Sequence, residues 1–218
     1  MRRMQQDDLS ARLEPAVPGE DVSIALALVN TRLHGPDGPR DLLAEPADVR
    51  AWLAGHGLVP EVGPRGDGSD GDGRGSAGWG SAGWGDRLRE LRESIRALLA
   101  ARIDDTVPDV ADLAAVNAAL AAAPCVTSVA WDEGGPRVGQ RRTARTDDPL
   151  APALAALAAD AGQLLAGLHA AQLARCSAHR CIRMFIRTHA ARQVCSTRCG
   201  DRVRAARHYA KRREQTAS

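Results

Sequence analysis

The chain has 218 residues, of which 44% are hydrophobic, 3% aromatic and 26% charged, with a formal net charge of +2. That length allows one ordinary domain and a small appendage, with a core built from Ala, Leu, Val and Ile rather than aromatic rings. The N-terminus lacks the apolar stretch of a secretory signal, and the longest apolar run, Ile24 to Val29, is far too short to span a bilayer. A cytoplasmic protein without membrane partners is therefore expected.

Residues 1–20 are expected to be disordered. Residues 21–33 read as a first helix, although the short apolar run also fits a strand. Residues 35–39, GPDGP, read as a loop. A second helix is expected from Pro46, a good first-turn residue, to Gly57, a good stop, with Val49, Trp52, Leu53 and His56 on one face. Residues 62–85 are glycine-rich and carry a tandem SAGWG repeat, the pattern of a flexible insertion. Gly66, Gly68 and Gly71 formally match G-x-G-x-x-G. No strand precedes them, and the two aspartates between them would repel phosphate, so a dinucleotide site is rejected. Trp79 and Trp84 read as by-products of the repeat.

Asp86 opens a third helix, with Leu88, Leu91, Ile95, Leu98, Leu99 and Ile103 at helical spacing. A fourth is expected from about Pro108 to Ala122, with Leu113, Val116 and Leu120 inward. Residues 125–131 alternate like a strand, Glu133 to Pro136 form a turn, and residues 137–144 return as a hairpin partner. Cys125 reads as a small buried residue. Asp148 and Pro149 open a fifth helix to about Leu173, burying Leu154, Leu157, Leu164, Leu165 and Leu168. That helix would run straight into the first clustered cysteine.

Four cysteines then follow as Cys176-x4-Cys181-x13-Cys195-x3-Cys199. Two close pairs separated by a loop suit a closed tetrahedral zinc site, each pair giving two thiolates. The region has too few large apolar residues to fold by burial alone. Ordering each residue costs about 1–2 kcal/mol of backbone entropy, whereas zinc returns roughly 10–16 kcal/mol in such modules. A redox switch or an iron–sulfur cluster would use the same ligand types. His179 and His189 are spare donors that read as surface residues.

Arg175 to Arg213 hold twelve basic residues against one acid, Asp201, a net +11; the remaining 17 basic and 26 acidic residues leave the rest at −9. After Cys199 the composition favours a helix. Val203, Ala206 and Ala210 would lie on the zinc core, and Arg204, Arg207, His208 and Lys211 would share another face. Arg198, Arg202, Arg204, Arg207, Lys211 and Arg212 are the candidate nucleic-acid contacts, since arginine forks grip phosphates or read guanine edges. A solvated basic tail is the plain alternative.

The run Arg175-Cys176…Cys181-x3-Phe185…Arg192…Cys195-Ser-Thr-Arg-Cys199-Gly-Asp-Arg-Val-Arg204 resembles the CGNR zinc finger. Upstream, Leu26 to Thr31, Asp41 to Leu43 and Pro46 to Leu53 resemble the ABATE domain that usually precedes it. The resemblance implies a bacterial, stress-linked transcription regulator. One structural zinc would sit on Cys176, Cys181, Cys195 and Cys199, the basic helix would bind DNA, and the upstream domain would sense a small-molecule effector or stress signal. This chain departs from the family at Asp201, where the signature asparagine stands, and at Phe185-Ile-Arg-Thr-His189, where two polar positions differ. Its loop before Cys195 is also shorter, Val194 replaces an aromatic residue, and Ala27 stands where the family has an aspartate.

The resulting expectation is an α+β chain, mainly α. An ABATE-like helical domain with one β-hairpin occupies 21–150, a connecting helix 151–174, and the finger with its basic helix 175–213. No catalysis is expected, because four thiolates leave no open metal position. RNA binding, protein interaction through the finger, or an enzyme in the helical domain are the other readings. A dimer fits a reader with one small finger, although no heptads support it.

Overall fold

The computed structural model describes residues 16–35, 38–59, 83–143 and 146–216. Most of the two stretches expected to be unstructured, 1–20 and 62–85, lies outside the described residues. The protein is mainly helical. Its elements are α1 (Ile24–Val29), β1 (Arg32–Gly35), β2 (Gly38–Asp41), α2 (Pro46–Gly55), α3 (Trp84–Asp104), α4 (Val110–Ala122), β3 (Cys125–Asp132), β4 (Gly135–Arg142), α5 (Ala151–Ala166), β5 (Leu173–Arg175), β6 (Met184–Ile186) and α6 (Thr197–Thr216). The strands form three antiparallel pairs, β1–β2, β3–β4 and β5–β6.

Helix α3 is the centre of the molecule. Its apolar stripe, Leu88, Leu91, Ile95, Leu98 and Leu99, is buried as its spacing requires, and it packs on α1, α2, α4, α5 and β5. Helix α5 presents Ala153, Ala158 and Ala161, all fully or almost fully buried. These small side chains let it lie close to its neighbours, so it is a core helix and not a connector. Asp160 on α5 accepts from the Ser23 hydroxyl at 2.6 Å and the Ala25 amide at 2.8 Å, so one helix caps the start of another.

Several local expectations are corrected. The first helix ends at Val29, and Arg32 to Gly35 turn back as a strand against Gly38 to Asp41. His56 is exposed; its ring lies 4.1 Å from that of Trp52 beyond the helix end. Trp84 is no by-product of the repeat: it begins α3 and is buried in the core. Leu113 is exposed, because α4 covers α3 and α5 with only a narrow stripe centred on Val116. Cys125 is exposed, since β3 packs on no core. The fifth helix stops at Ala166, where a Cβ on Gly167 would meet the Gln163 carbonyl oxygen at 2.4 Å. Leu168, expected inside, is therefore 96% exposed in the turn that follows.

A buried ion pair ties the first hairpin to α3. Arg92 is almost fully buried and its two Nη atoms each sit 2.7 Å from a carboxylate oxygen of Asp41; Nη1 also donates to Thr31 Oγ1 at 3.0 Å. Burial pushes the Asp41 carboxyl up, but the Arg92 and Leu43 hydrogen bonds and the charges of Arg92 and Arg89 outweigh it and hold the pKa below its ordinary 3.8. A depressed carboxylate contributes stability that is complete above its unfolded value and is lost as pH falls through the folded one. Urea melts should therefore show the wild type losing stability below about pH 4, and Asp41→Ala should be weaker already at neutral pH by about 2–3 kcal/mol, since it removes the carboxylate from both Nη atoms of a buried guanidinium that keeps only Thr31 at Nη1 and Glu93 at Nε, 3.0 and 3.1 Å away. A variant within 1 kcal/mol of wild type would refute this role for the pair.

Candidate metal centre and basic helix

Strands β5 and β6 build the platform for the cysteines. Leu173, Met184 and Ile186 point into the main core, while Ala174 and Phe185 alternate to the other face beneath the cysteines. The first cysteine pair is closed by a tight turn in which the Cys181 amide donates to the Ala178 carbonyl at 2.9 Å. Arg180 completes it in the left-handed region, with φ of 61°. The second pair enters α6. Ser196 caps that helix by accepting from the Cys199 amide at 3.3 Å.

The four sulfurs converge to within 4.8 Å of one another, and Cys176, Cys195 and Cys199 are buried. Cys181 and Cys195 sulfurs lie 3.8 Å apart, and those of Cys195 and Cys199 3.5 Å. Zinc–sulfur bonds of about 2.3 Å in a tetrahedron require sulfur separations of about 3.8 Å, so the cluster is close to the size that zinc needs. The clustered thiols compete for protons. Hydrogen bonds from Cys181 and Cys195 hold Cys176 far below the ordinary thiol range. The bond to Cys176 pushes Cys181 up to about 11, and bonds to Cys176 and Cys181 push Cys195 further up. A dication relieves this competition by replacing the protons.

The basic side chains divide into two groups. Arg202 donates to the Cys199 sulfur at 3.1 Å. Burial acts against its charge, but this bond and the thiolates of Cys181 and Cys176 hold its pKa above the usual value. Arg202, a candidate nucleic-acid contact from sequence, thus supports the metal site. Arg192, which sequence reading gave no role, donates to the Val194 and Cys195 carbonyls, both at 3.0 Å, and stacks over Phe185. Arg198, Arg204, Arg207, Lys211 and Arg212 are all exposed on α6. Arg204 is paired with Asp201 one turn earlier. Val203 packs on the finger core, but Ala206 and Ala210, expected to join it, are exposed. From Ala205 onward α6 leaves the body of the protein with every described side chain exposed.

The finger is joined to the helices by a polar junction that sequence reading did not find. Buried Asn30, at the end of α1, donates to the Met184 carbonyl at 2.8 Å and accepts from the Met184 amide at 2.9 Å; it also donates to Glu20 at 2.6 Å. Arg96 of α3 donates to the Ile182 and Val29 carbonyls, both at 2.8 Å. Pro18 accepts from the Ile186 amide at 2.9 Å, and Val17 is buried in the finger core. Residues 16–20, expected to be disordered, thus seal the finger from the side. Gly19, with φ of 102°, is required there because a Cβ would lie 2.7 Å from Ile186.

The fold and site define a zinc-finger protein: a helical domain carrying a closed four-cysteine centre and a projecting basic helix. The chain belongs to the ABATE family, described as "Putative stress-induced transcription regulator", whose family model matches residues 23–168; the CGNR zinc finger model matches residues 172–212. No curated protein sequence matches the chain. No helix among the described residues is long and apolar enough to cross a membrane.

Proposed function

We propose that the chain is a DNA-binding transcription regulator in which the metal holds the base of α6 and the free end of that helix meets the duplex. The observation that carries this reading is the shape of α6. Its first turn is fixed by Cys195, Cys199 and Arg202, and its later turns stand clear with Arg204, Arg207 and Lys211 on one face. A helix of 20 residues is about 30 Å long, and an exposed helix fits the major groove. Zinc is structural in this reading, and the chain performs no catalysis. The helical domain serves as the sensor, and the Asn30–Met184 junction is the rigid connection by which a bound effector would influence the finger.

The test is binding to labelled duplex DNA across a salt series, with structured RNA as competitor. Affinity should fall steeply with salt, and Arg207→Ala and Lys211→Ala should each reduce the slope by about one. Asp201→Asn, which removes a negative charge and releases Arg204, should tighten binding by roughly two- to tenfold at low salt. Metal-loaded protein with no duplex affinity at low salt would overturn the proposal. Preference for structured RNA would replace DNA with RNA as the partner.

A further inference from the structure

The cysteine cluster is covered from one side by a strap of chain that lies far from it in sequence. This strap, residues 16–20, precedes α1 and falls outside both family matches, which begin at residues 23 and 172. Val17 is nonetheless only 2% exposed, and it packs in one cluster with Cys176, Cys195, Cys199 and Phe185. The other buried members of that cluster are Ala174 and Ala178, so after Phe185 it is Val17 that supplies most apolar bulk beside the sulfurs. A cleft of about 410 Å³ runs alongside, lined by Val17, Pro18, Cys195, Ser196 and Thr197. The strap forms one wall of this cleft and the start of α6 another.

The strap is anchored by its own polar groups. The Ile186 amide donates to the Pro18 carbonyl at 2.9 Å. Glu20 Oε2 accepts from the Val17 amide at 3.0 Å, while Oε1 accepts from Asn30 at 2.6 Å and from Arg183 Nη2 at 3.2 Å. The Glu20 and Arg183 side chains are 12% and 7% exposed, so this ion pair is withdrawn from solvent. Arg183 reaches the cysteines through its backbone. Its carbonyl accepts from the Cys176 amide at 3.0 Å, and its amide donates to the Cys181 sulfur. Glu20 therefore holds the residue whose two peptide groups place both cysteines of the first pair.

We propose that the strap is part of the metal centre, with Val17 and Glu20 as positioning residues that set how firmly zinc is held. Val17 keeps water and competing ligands off the sulfurs. Glu20, through Arg183, keeps Cys176 and Cys181 aligned on the metal. An apolar shell governs solvent access to a metal site, and hydrogen-bonded support governs the orientation of its ligands. The finger of this chain is thus not self-contained, because residues 16–20 complete it. The inference rests on the four-thiolate centre and not on the nucleic-acid reading, and its test contains no nucleic acid.

The experiment follows zinc release from the full-length, zinc-loaded chain to an excess of a chromophoric chelator. The absorption spectrum of the cobalt(II)-substituted chain is the second readout. Val17→Ala and Glu20→Gln should each release zinc roughly tenfold faster or more. Val17→Ile, which keeps the apolar cover, should hold zinc nearly as long as the wild type. The cobalt bands of Glu20→Gln should shift, because Cys176 and Cys181 lose their support. Val116→Ala is the control, since Val116 is buried in the main core and not among the cysteines. It should lower the melting temperature and leave both the release rate and the cobalt spectrum unchanged. Wild-type release from Val17→Ala and Glu20→Gln would overturn the proposal. Release from Val116→Ala as fast as from the strap variants would overturn it too, by assigning the effect to global stability. A wild type that takes up no zinc would overturn both this inference and the four-thiolate assignment.

Discussion

Cys195→Ser is expected to abolish metal binding and to unfold the outer half of the finger while α1 to α5 remain folded. Cys195 is the hub of the cluster. Its sulfur lies within 3.8 Å of those of Cys181 and Cys199, and its amide donates to the Cys176 sulfur at 3.4 Å. The apolar content beneath it is small, chiefly Phe185 with Val17, Ala174 and Ala178. Such a miniature core cannot offset the entropy of the chain that crosses it, at about 1–2 kcal/mol per residue. Loss of a metal worth roughly 10–16 kcal/mol therefore removes order and not merely affinity. The loss should be bounded, because Leu173, Met184 and Ile186 belong to the core of the helices. Hydrogen exchange should show protection vanishing from 176–182 and 192–204 and persisting in β5 and β6, with metal stoichiometry near zero. A variant that keeps one tightly held zinc and a protected 192–204 segment would sink the four-thiolate assignment.

Asn30→Ala should produce a large loss of stability away from the cysteines. The substitution leaves the Met184 amide and carbonyl without their partner in a buried site and removes a donor from Glu20. Buried unsatisfied groups cost about 1–3 kcal/mol each. A net loss of about 3 kcal/mol corresponds to a fall in melting temperature of about 6–12 °C for a chain of this size. Asn30→Asp has the same shape but keeps only the acceptors and sets a second carboxylate against Glu20. It should be at least as destabilising at neutral pH. Thermal melts followed by circular dichroism measure both variants. Because Asn30 touches no metal ligand, metal stoichiometry should be retained below the transition. A melting temperature within 2 °C of wild type would show that the junction is not what holds β6 to α1.

Much of the candidate site was legible in the sequence because its chemistry is local. The intervals between Cys176, Cys181, Cys195 and Cys199 suffice to name a closed thiolate centre, and the structure brings all four together. The stripe of α3 and the arginine-rich composition of α6 are likewise properties of neighbouring residues. Pairings across long sequence separations were not legible. Asn30 looks like any helix-ending asparagine until Met184, 154 residues away, is placed beside it. Arg202 looks like another basic residue of the tail until the helix turn sets its guanidinium on the Cys199 sulfur.

By itself, then, the sequence determined which residues could together hold a metal, which segments are amphipathic helices and where the positive charge lies. Each follows from spacing or composition over a few turns of chain. Only the tertiary structure decided which apolar side chains are covered. Leu113 and Leu168 obey the same local patterns as buried leucines yet lie outside, and Trp84 and Val17 come from unpromising segments yet lie inside. The physical reason is that burial depends on what another element covers. A hydrophobic period records what a segment could offer to a partner, and the partner's position is a property of the whole chain.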